Sequence, residues 1–367
     1  MTTGPLAQLR ERRPSAPPTV TALPRWRMPF SWTVLTALFL ALVLANLGLG
    51  AFDVGVERII AILLGKLGID IGVQYTSAEE AVVWVIRVPR MILAALVGAG
   101  LGVSGAALQG LFRNPLADPS LIGVSSGAAF AVALSVLLGL TSGAVFIQPL
   151  VAFVGGLVLT LGIYAFSRSA GRVQMATMLL VGIAVNALLA SAISFILSLS
   201  DDGALRDIVY WILGSLGGSV WDYAVTAGPL ILIAIFVLVR QAGALNLLTL
   251  GDAEARHLGV RVERSQFIIV TAAALATGAG VAVAGVVGFV GLVAPHLVRL
   301  VVGPDHRSLI PASAVSGAIL VLGADLGART IFAPAELPLG VVTAVIGTPV
   351  FLYLIHRARR SLAMGGW

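Results

Sequence analysis

Long apolar runs separated by short polar stretches dominate this chain from Ser31 onward. They predict ten spans, at roughly 31–51, 81–110, 119–138, 144–167, 173–199, 221–240, 263–285, 288–302, 309–329 and 339–356. A helix needs about 20 apolar residues to cross a hydrocarbon core, and most of these runs reach that length. The seventh and eighth nearly merge, so the break between them is the least defined. Residues 1–30 are rich in Pro and Arg (RERRPSAPP, then PRWRMP) with no apolar period, which predicts a disordered cytoplasmic tail. The run from Ser31 to Ala51 is longer than a signal-peptide core and reads as an anchoring span that is not cleaved. The expected fold is an all-α polytopic membrane protein, about ten transmembrane helices forming one domain over 31–360.

Composition supports this pattern. Apolar residues are 58% of the chain and charged residues 11%, against about 25% charged in a soluble domain. The few charges sort by side. Arg58, Lys66, Arg87, Arg90, Arg206 and Arg329 fall on one side of the predicted membrane, and the other seventeen Lys/Arg on the opposite side. Basic residues concentrate in the cytoplasm, and ten is even, so both termini are expected there. The net charge of +6 is scattered over loop ends rather than clustered. It fits anionic membrane lipid and orientation, with no nucleic-acid partner expected. The chain has no Cys, which removes disulfides and thiolate metal sites together.

Residues 98–115 (GAGLGVSGAALQGLFRNP) and 278–295 (GAGVAVAGVVGFVGLVAP) align at an offset of 180, with Gly98, Ala99, Gly100, Val103, Gly105 and Pro115 each meeting an identical residue. Chance similarity of Gly/Ala-rich helices is one explanation. The other is a duplicated five-helix unit, whose odd helix count would invert one half in the membrane. Glycines such as Gly98 and Gly102, at small-xxx-small spacing, let helix backbones approach closely.

Polar breaks carry the candidate chemistry. NPLADP at 114–119 places two prolines between spans. It reads as an ordinary turn or, through Asn114 and Leu116, as a constriction at the inner end of a path. GDAEARHLGV at 251–260 predicts a short polar helix, starting at a Gly-Asp cap signal and ending at Gly259. It is either a solvated connector or a knob whose small residues Gly251, Ala253 and Ala255 seat in a partner's cleft. His296 lacks a second His or Cys at ligand spacing and reads as a hydrogen-bonded helix-end residue, while His257, His306 and His356 read as solvated; no metal site is expected. No Walker A pattern, HExxH or nucleophile elbow occurs, so no enzyme site is visible. Uphill transport would draw its energy from another chain or from an ion gradient. Asp325, near the outer end of the ninth span, is the one carboxylate that keeps an ion-coupled secondary transporter in view.

Five segments then carry a resemblance: RVPR at 87–90, SGAALQGLFRNPLADPSLIGVSSGAA at 104–129, LGDAEARHLGV at 250–260, GFVGLVAPHLVRLVVGPDHR at 288–307 and AELPLGVVTAVIGTPVFLYL at 335–354. From about Trp32 to Arg360 the chain resembles the permease subunits of type II ATP-binding-cassette importers, which carry cobalamin, ferric siderophores and haem. The resemblance implies a ten-helix permease that pairs with a second copy around a central path. It also implies two ATPase subunits that hold ATP and magnesium, a periplasmic substrate-binding protein, and no cofactor bound covalently on this chain. Arg87, Arg90 and Arg329 match the family's docking arginines for the binding protein. Gly251, Asp252, Ala253, Glu254, Ala255, Arg256, His257, Leu258 and Gly259 match its ATPase-coupling helix. Asn114 and Leu116 match its inner gate, together with a pair in the fifth span. Some relatives have Thr-Ser at that pair, whereas this chain has Met175 and Ala176, which predicts a less polar constriction.

The substrate reading rests on SDDGALRDIVYWILGSLGGSVW, between the fifth and sixth spans. Haem is a flat apolar ring with two propionates, so its path wants apolar walls and a cation near the mouth. Arg206 supplies the cation, and Trp211, Ile212 and the flanking glycines a smooth surface. LRDIVYW is similar to haem permeases, although cobalamin permeases can carry Arg at the same place. Alternatively Arg206 is an interfacial anchor or a salt-bridge partner of Asp202 or Asp207. Haem is the expected substrate, ahead of a ferric siderophore and then cobalamin.

Overall fold

The computed structural model describes residues 27–50, 52–140, 146–169 and 172–363. Most of the expected tail, residues 1–26, lies outside the described residues. In chain order the helices are α1 (Arg27–Gly48), α2 (Val56–Lys66), α3 (Ser77–Glu80), α4 (Val88–Phe112), α5 (Val124–Leu137), α6 (Ile147–Phe166), α7 (Met175–Leu199), α8 (Asp202–Leu213), α9 (Trp221–Arg240), α10 (Ala242–Leu248), α11 (Asp252–His257), α12 (Val262–Ala284), α13 (Val290–Val302), α14 (His306–Thr330) and α15 (Leu339–Ala363). A π-helical stretch, Ala81–Arg87, joins α3 to α4, so that Ser77–Phe112 is continuous. Each predicted span is helical. Among the described residues, six helices are long and apolar enough to cross a membrane, and α1, α5, α13 and α15 contribute shorter apolar stretches.

Glycine explains why α4 sits at the centre. A Cβ added to Gly98 would lie 2.2 Å from the carbonyl oxygen of Gly317, and one added to Gly102 would lie 2.2 Å from that of Ser313. These two contacts seat α4 antiparallel against α14. Gly105 does the same against α13, where a Cβ would lie 1.7 Å from the oxygen of Gly291. Backbones this close gain dispersion contacts that lipid cannot supply.

The packing bears out the repeat. In the first half α5 packs on α6, α5 on α7 and α6 on α7. In the second half α13 packs on α14, α13 on α15 and α14 on α15. Across the halves, α4 meets α13 and α14 as α12 meets α5 and α6.

Two spans begin behind non-helical backbone, at equivalent places. The third begins at Val124 rather than near 119, behind a 3₁₀ turn, Pro119–Ile122. The eighth begins at Val290, behind a non-helical stretch after Gly285. Both start from a left-handed residue, Gly123 at φ 88° and Phe289 at φ 66°. Pro119 packs on Gly291, opposite Gly105, about 12 Å along α4 from Arg113 at 1.5 Å per residue. The two breaks therefore meet inside the bundle. Irregular backbone at such depth persists only where protein covers it.

Candidate functional site

Polar chemistry collects at the two ends of α4. At the Arg90 end, the Arg90 guanidinium donates through Nε and Nη2 to Asp325, at 2.9–3.1 Å, and through Nη1 and Nη2 to Glu336, at 2.9 and 3.0 Å. Arg329 lies one turn after Asp325 on α14, with Nε 3.8 Å from its carboxylate. Its Nη2 donates to the carbonyl oxygen of Asn46 at 2.7 Å and to Oδ1 of the same residue at 3.1 Å. Arg87 donates to the carbonyls of Leu47 at 2.6 Å and Gly48 at 3.1 Å, and to that of Phe52. Arg87 and Arg329 thus satisfy carbonyls that the end of α1 leaves without helical partners.

The three arginines expected to dock a binding protein do converge on one face. They are not free cations there. Arg87 is 5% exposed and Arg90 7%, because a buried guanidinium needs partners and finds them in α1, Asp325 and Glu336. The charge this cluster turns outward is Glu336, whose side chain is 43% exposed. Sequence reasoning missed Glu336 and Asn46; the one signal for Glu336 was an acid beside the last span on the arginine-bearing side. Asp325, the carboxylate that kept an ion-coupled carrier in view, is 1% exposed and shared by two arginines.

At the Arg113 end, α10 and α11 form a short elbow. Arg113, itself left-handed at φ 52°, donates to the carbonyl of Leu248 at 2.8 Å and pairs with Asp252. Gln266 also donates to Asp252, at 3.2 Å, and Arg256 pairs with Glu263 at 2.6 Å. These ties fix the helix from Gly251 (φ 130°) to Gly259 (φ 88°). Its outward face consists of Ala253, Glu254, His257, Leu258 and Gly259. Ala255, expected to be part of a knob, is instead fully buried and packs into the core.

The gate candidates divide. Asn114 Oδ1 accepts the backbone N–H of Leu116 at 3.0 Å, a local turn that leaves Leu116 exposed. Met175 packs against the main core while Ala176 is exposed at the start of α7. The residue that ties α7 to this segment is Asn186, which sequence reasoning passed over. It donates to the carbonyl of Ser120 at 3.1 Å and accepts from Ser126. A polar residue midway along an apolar span was its only signal.

His306, expected in solvent, is 4% exposed. Its backbone N–H donates to Asn246 Oδ1 at 2.9 Å, and its Nδ1 lies 2.7 Å from the same oxygen. His296, expected to be hydrogen-bonded, makes no such bond among the described residues.

At the far end of α7, Asp201 caps α8 by accepting from the N–H of Ala204 at 2.8 Å. Arg206 is exposed and makes no ion pair among the described residues, to Asp202, Asp207 or otherwise. Trp211 and Ile212 are half-buried, so only part of each contributes to an open surface. Trp211 packs against the cluster of Ala128, Val132, Ala152, Val281 and Ala282, and Ile212 against that of Ala133, Ile196 and Ile208. The exposed aromatic is Tyr210, one turn after Arg206 and on the same helix face.

Residues 38–357 match the FecCD transport family. The hemin transport system permease protein HmuU of Yersinia pestis is 46% identical over 292 residues, covering 78% of this chain and 87% of that protein. The cobalamin import system permease protein BtuC of Halobacterium salinarum is 43% identical over 285 residues, covering 78% and 75%. A solved structure described as an inward-facing metal-chelate type ABC transporter superposes with a TM-score of 0.77. It is 30% identical and covers 90% of this chain and 99% of that one.

Proposed function

The chain belongs to the FecCD transport family, the permease subunits of type II ATP-binding-cassette importers, and on that premise we propose that its substrate is haem. One observation carries the choice. Arg206 stands exposed and unpaired among the described residues on α8, one turn from exposed Tyr210. A cation beside an aromatic face suits a flat ring that ends in carboxylates. The identity to a permease named for hemin supports the same reading.

In this reading two permease copies in the bacterial inner membrane enclose the path, with both termini cytoplasmic. A periplasmic binding protein delivers haem at the Arg90 end, and two ATPase subunits grip α11 at the other. ATP and magnesium are bound by those subunits, and this chain is a transport component rather than an enzyme. Glu336 and Asp325 hold Arg90 until a docking carboxylate competes for it. Cobalamin is the second reading, favoured by the relatives named for it. Its amide-fringed ring has less need of a cation at the mouth. A ferric siderophore comes third.

The test is ATP-dependent uptake into proteoliposomes holding the permease, its ATPase and its binding protein. Haem should accumulate, and uptake should fall in Arg206→Ala with ATPase assembly unchanged. Cobalamin or siderophore accumulation without haem uptake would overturn the substrate and leave the importer standing. Uptake without the ATPase, driven by an ion gradient, would revive a secondary carrier.

A further inference from the structure

Three glycines join α8, the break after α12 and the start of α15 backbone to backbone. A Cβ added to Gly285 would lie 2.3 Å from the carbonyl oxygen of Trp211, one added to Gly214 2.7 Å from that of Val286, and one added to Gly340 2.6 Å from that of Leu213. Gly214 and Gly285 are left-handed, at φ 73° and 67°, a conformation that side-chain-bearing residues resist. Two hydrogen bonds close the junction. The N–H of Ser215 donates to the carbonyl of Ala284 and that of Leu339 to the carbonyl of Gly214, each at 2.9 Å.

The last turn of α8, the helix that carries Arg206 and Tyr210, is therefore fastened to the segment that opens α15. That segment is also fastened to α4. Glu336, just before Leu337 and Pro338, accepts from Arg90 at 2.9 and 3.0 Å. The same carboxylate lies over the loop that leaves α8, where a Cβ on Gly217 would be 3.1 Å from Oε2. Between these two ties, the N–H of Leu337 donates to the carbonyl of Ala328 at 2.9 Å, which gives the segment a pivot on α14. Along α8 itself the grip is apolar. Ile208 is fully buried against Ala133 and Ile196, while Trp211 and Ile212 are half-buried.

Asp325 supplies Arg90 with a buried counter-ion, so Glu336 is the partner that Arg90 can lose. We propose that Glu336 is a positioning residue for the mouth. Pinned on Arg90, it holds the segment from 336 to 339 against Gly214 and keeps α8 seated. A partner carboxylate that takes Arg90 frees the segment, and α8 swings away from Ala133 and Ile196. This rests on the reading of the Arg90 end as the docking face and of α8 as the mouth.

The chain has no Cys, so one introduced thiol reports on one place. Ile208→Cys sets it beneath α8, at a site with no exposure. The permease–ATPase complex is held in nanodiscs without binding protein or substrate, and labelling by a water-soluble maleimide measures how often α8 lifts. Adding Glu336→Gln should raise that rate about twofold to fivefold, the shift that an exposed ion pair can hold. Glu80→Gln, which breaks the Lys66 pair on the same side, should leave the rate as it was. A thiol placed by Ile231→Cys, fully buried on α9, should stay unlabelled in both backgrounds, which separates local lifting from loss of fold. Unchanged labelling of Ile208→Cys in Glu336→Gln sinks the proposal, and so does equal acceleration of Ile231→Cys. The docking reading fails separately. Binding-protein affinity that is the same in Glu336→Gln and wild type counts against Arg90 as the docking group and leaves the labelling result standing.

Discussion

Arg90 and Asp325 meet in a buried ion pair, Nη2 to Oδ1 at 2.9 Å, across the contact between α4 and α14. The same guanidinium binds Glu336 at the rim, so one arginine has one inner and one outer counter-ion. Their losses should differ. Asp325→Asn removes the buried counter-ion of Arg90 and Arg329, leaving Arg90 only its rim partner Glu336, and should cost up to about 3–5 kcal/mol. Glu336→Gln removes an exposed partner and should cost about 0.2–1 kcal/mol. Thermal unfolding of the two variants in detergent reads this directly, and equal losses would refute the inner-outer division. The Gln variant should also bind the binding protein more tightly, since Arg90 then has one competitor fewer. Replacing all three arginines with Glu is a poor docking test, because it sets new acids against Asp325 and the carbonyls of α1.

The α4 glycines make a second contrast. Gly105→Ala drives a methyl into the backbone of Gly291 and should cost about 1–3 kcal/mol or more, since neither helix can yield cheaply. Gly162 on α6 has no atom within 4 Å of an added Cβ. Gly162→Ala should leave stability unchanged or raise it by up to about 1 kcal/mol through helix propensity. Yield and melting temperature of the two purified variants settle it, and a well-behaved Gly105→Ala would mean that α13 can move away.

Asp305 offers a pH handle outside the membrane-spanning segments. Its carboxylate caps α14, accepting the N–H of Arg307 at 3.0 Å and a bond from Asn246. The Arg307 backbone bond, aided by Asn246, holds it below the ordinary carboxylate range despite partial burial. A folded pKa below the unfolded one means its stabilisation is complete above the unfolded value, about 3.9. It fades as pH falls through the folded value. Asp305→Ala should therefore cost about 1 kcal/mol at neutral pH, and the gap to wild type should narrow in acid. A gap that stays constant from neutral pH down to about pH 3 would show that the charge plays no part.

The helices were legible because hydropathy reports burial in lipid, and ten apolar runs became ten apolar helices. Hydropathy is blind to backbone breaks inside an apolar run, so the late start of α5, behind Gly123, was not legible, and the break before α13 showed only as a near-merged boundary. The arginines could be grouped on one face from charge asymmetry alone. Their inward direction depends on partners far away in sequence: Asp325 is 235 residues from Arg90, Glu336 is 246, and Asn46 is 283 from Arg329. His306 was misread for the same reason, since what buries it is Gly110 and Asn246 rather than any neighbour in its own segment. Local pattern predicts elements, and the pairing of distant polar groups waits for the fold.

The elbow at α11 separates anchoring from recognition within six residues. Asp252, Ala255 and Arg256 face the permease and hold the helix through Arg113, the core and Glu263. Ala253, Glu254, His257 and Leu258 face outward, and Leu258, like Leu250, is a large apolar side chain left exposed. Exposed apolar residues rimmed by polar ones mark contact surfaces. Leu258→Glu should therefore weaken assembly with the ATPase or uncouple hydrolysis from uptake, without changing the fold or binding-protein docking. Gly259→Glu should act similarly and cost some stability as well, because Gly259 holds φ 88°, a conformation that side-chain-bearing residues resist. Arg256→Gln, by contrast, breaks only the half-exposed pair with Glu263 and should leave coupling near wild type. The measurement is ATPase stimulation by the binding protein in reconstituted complexes. If Leu258→Glu is stimulated like wild type while Arg256→Gln is not, the inner face of this helix carries the coupling and the assignment of the outer face is wrong.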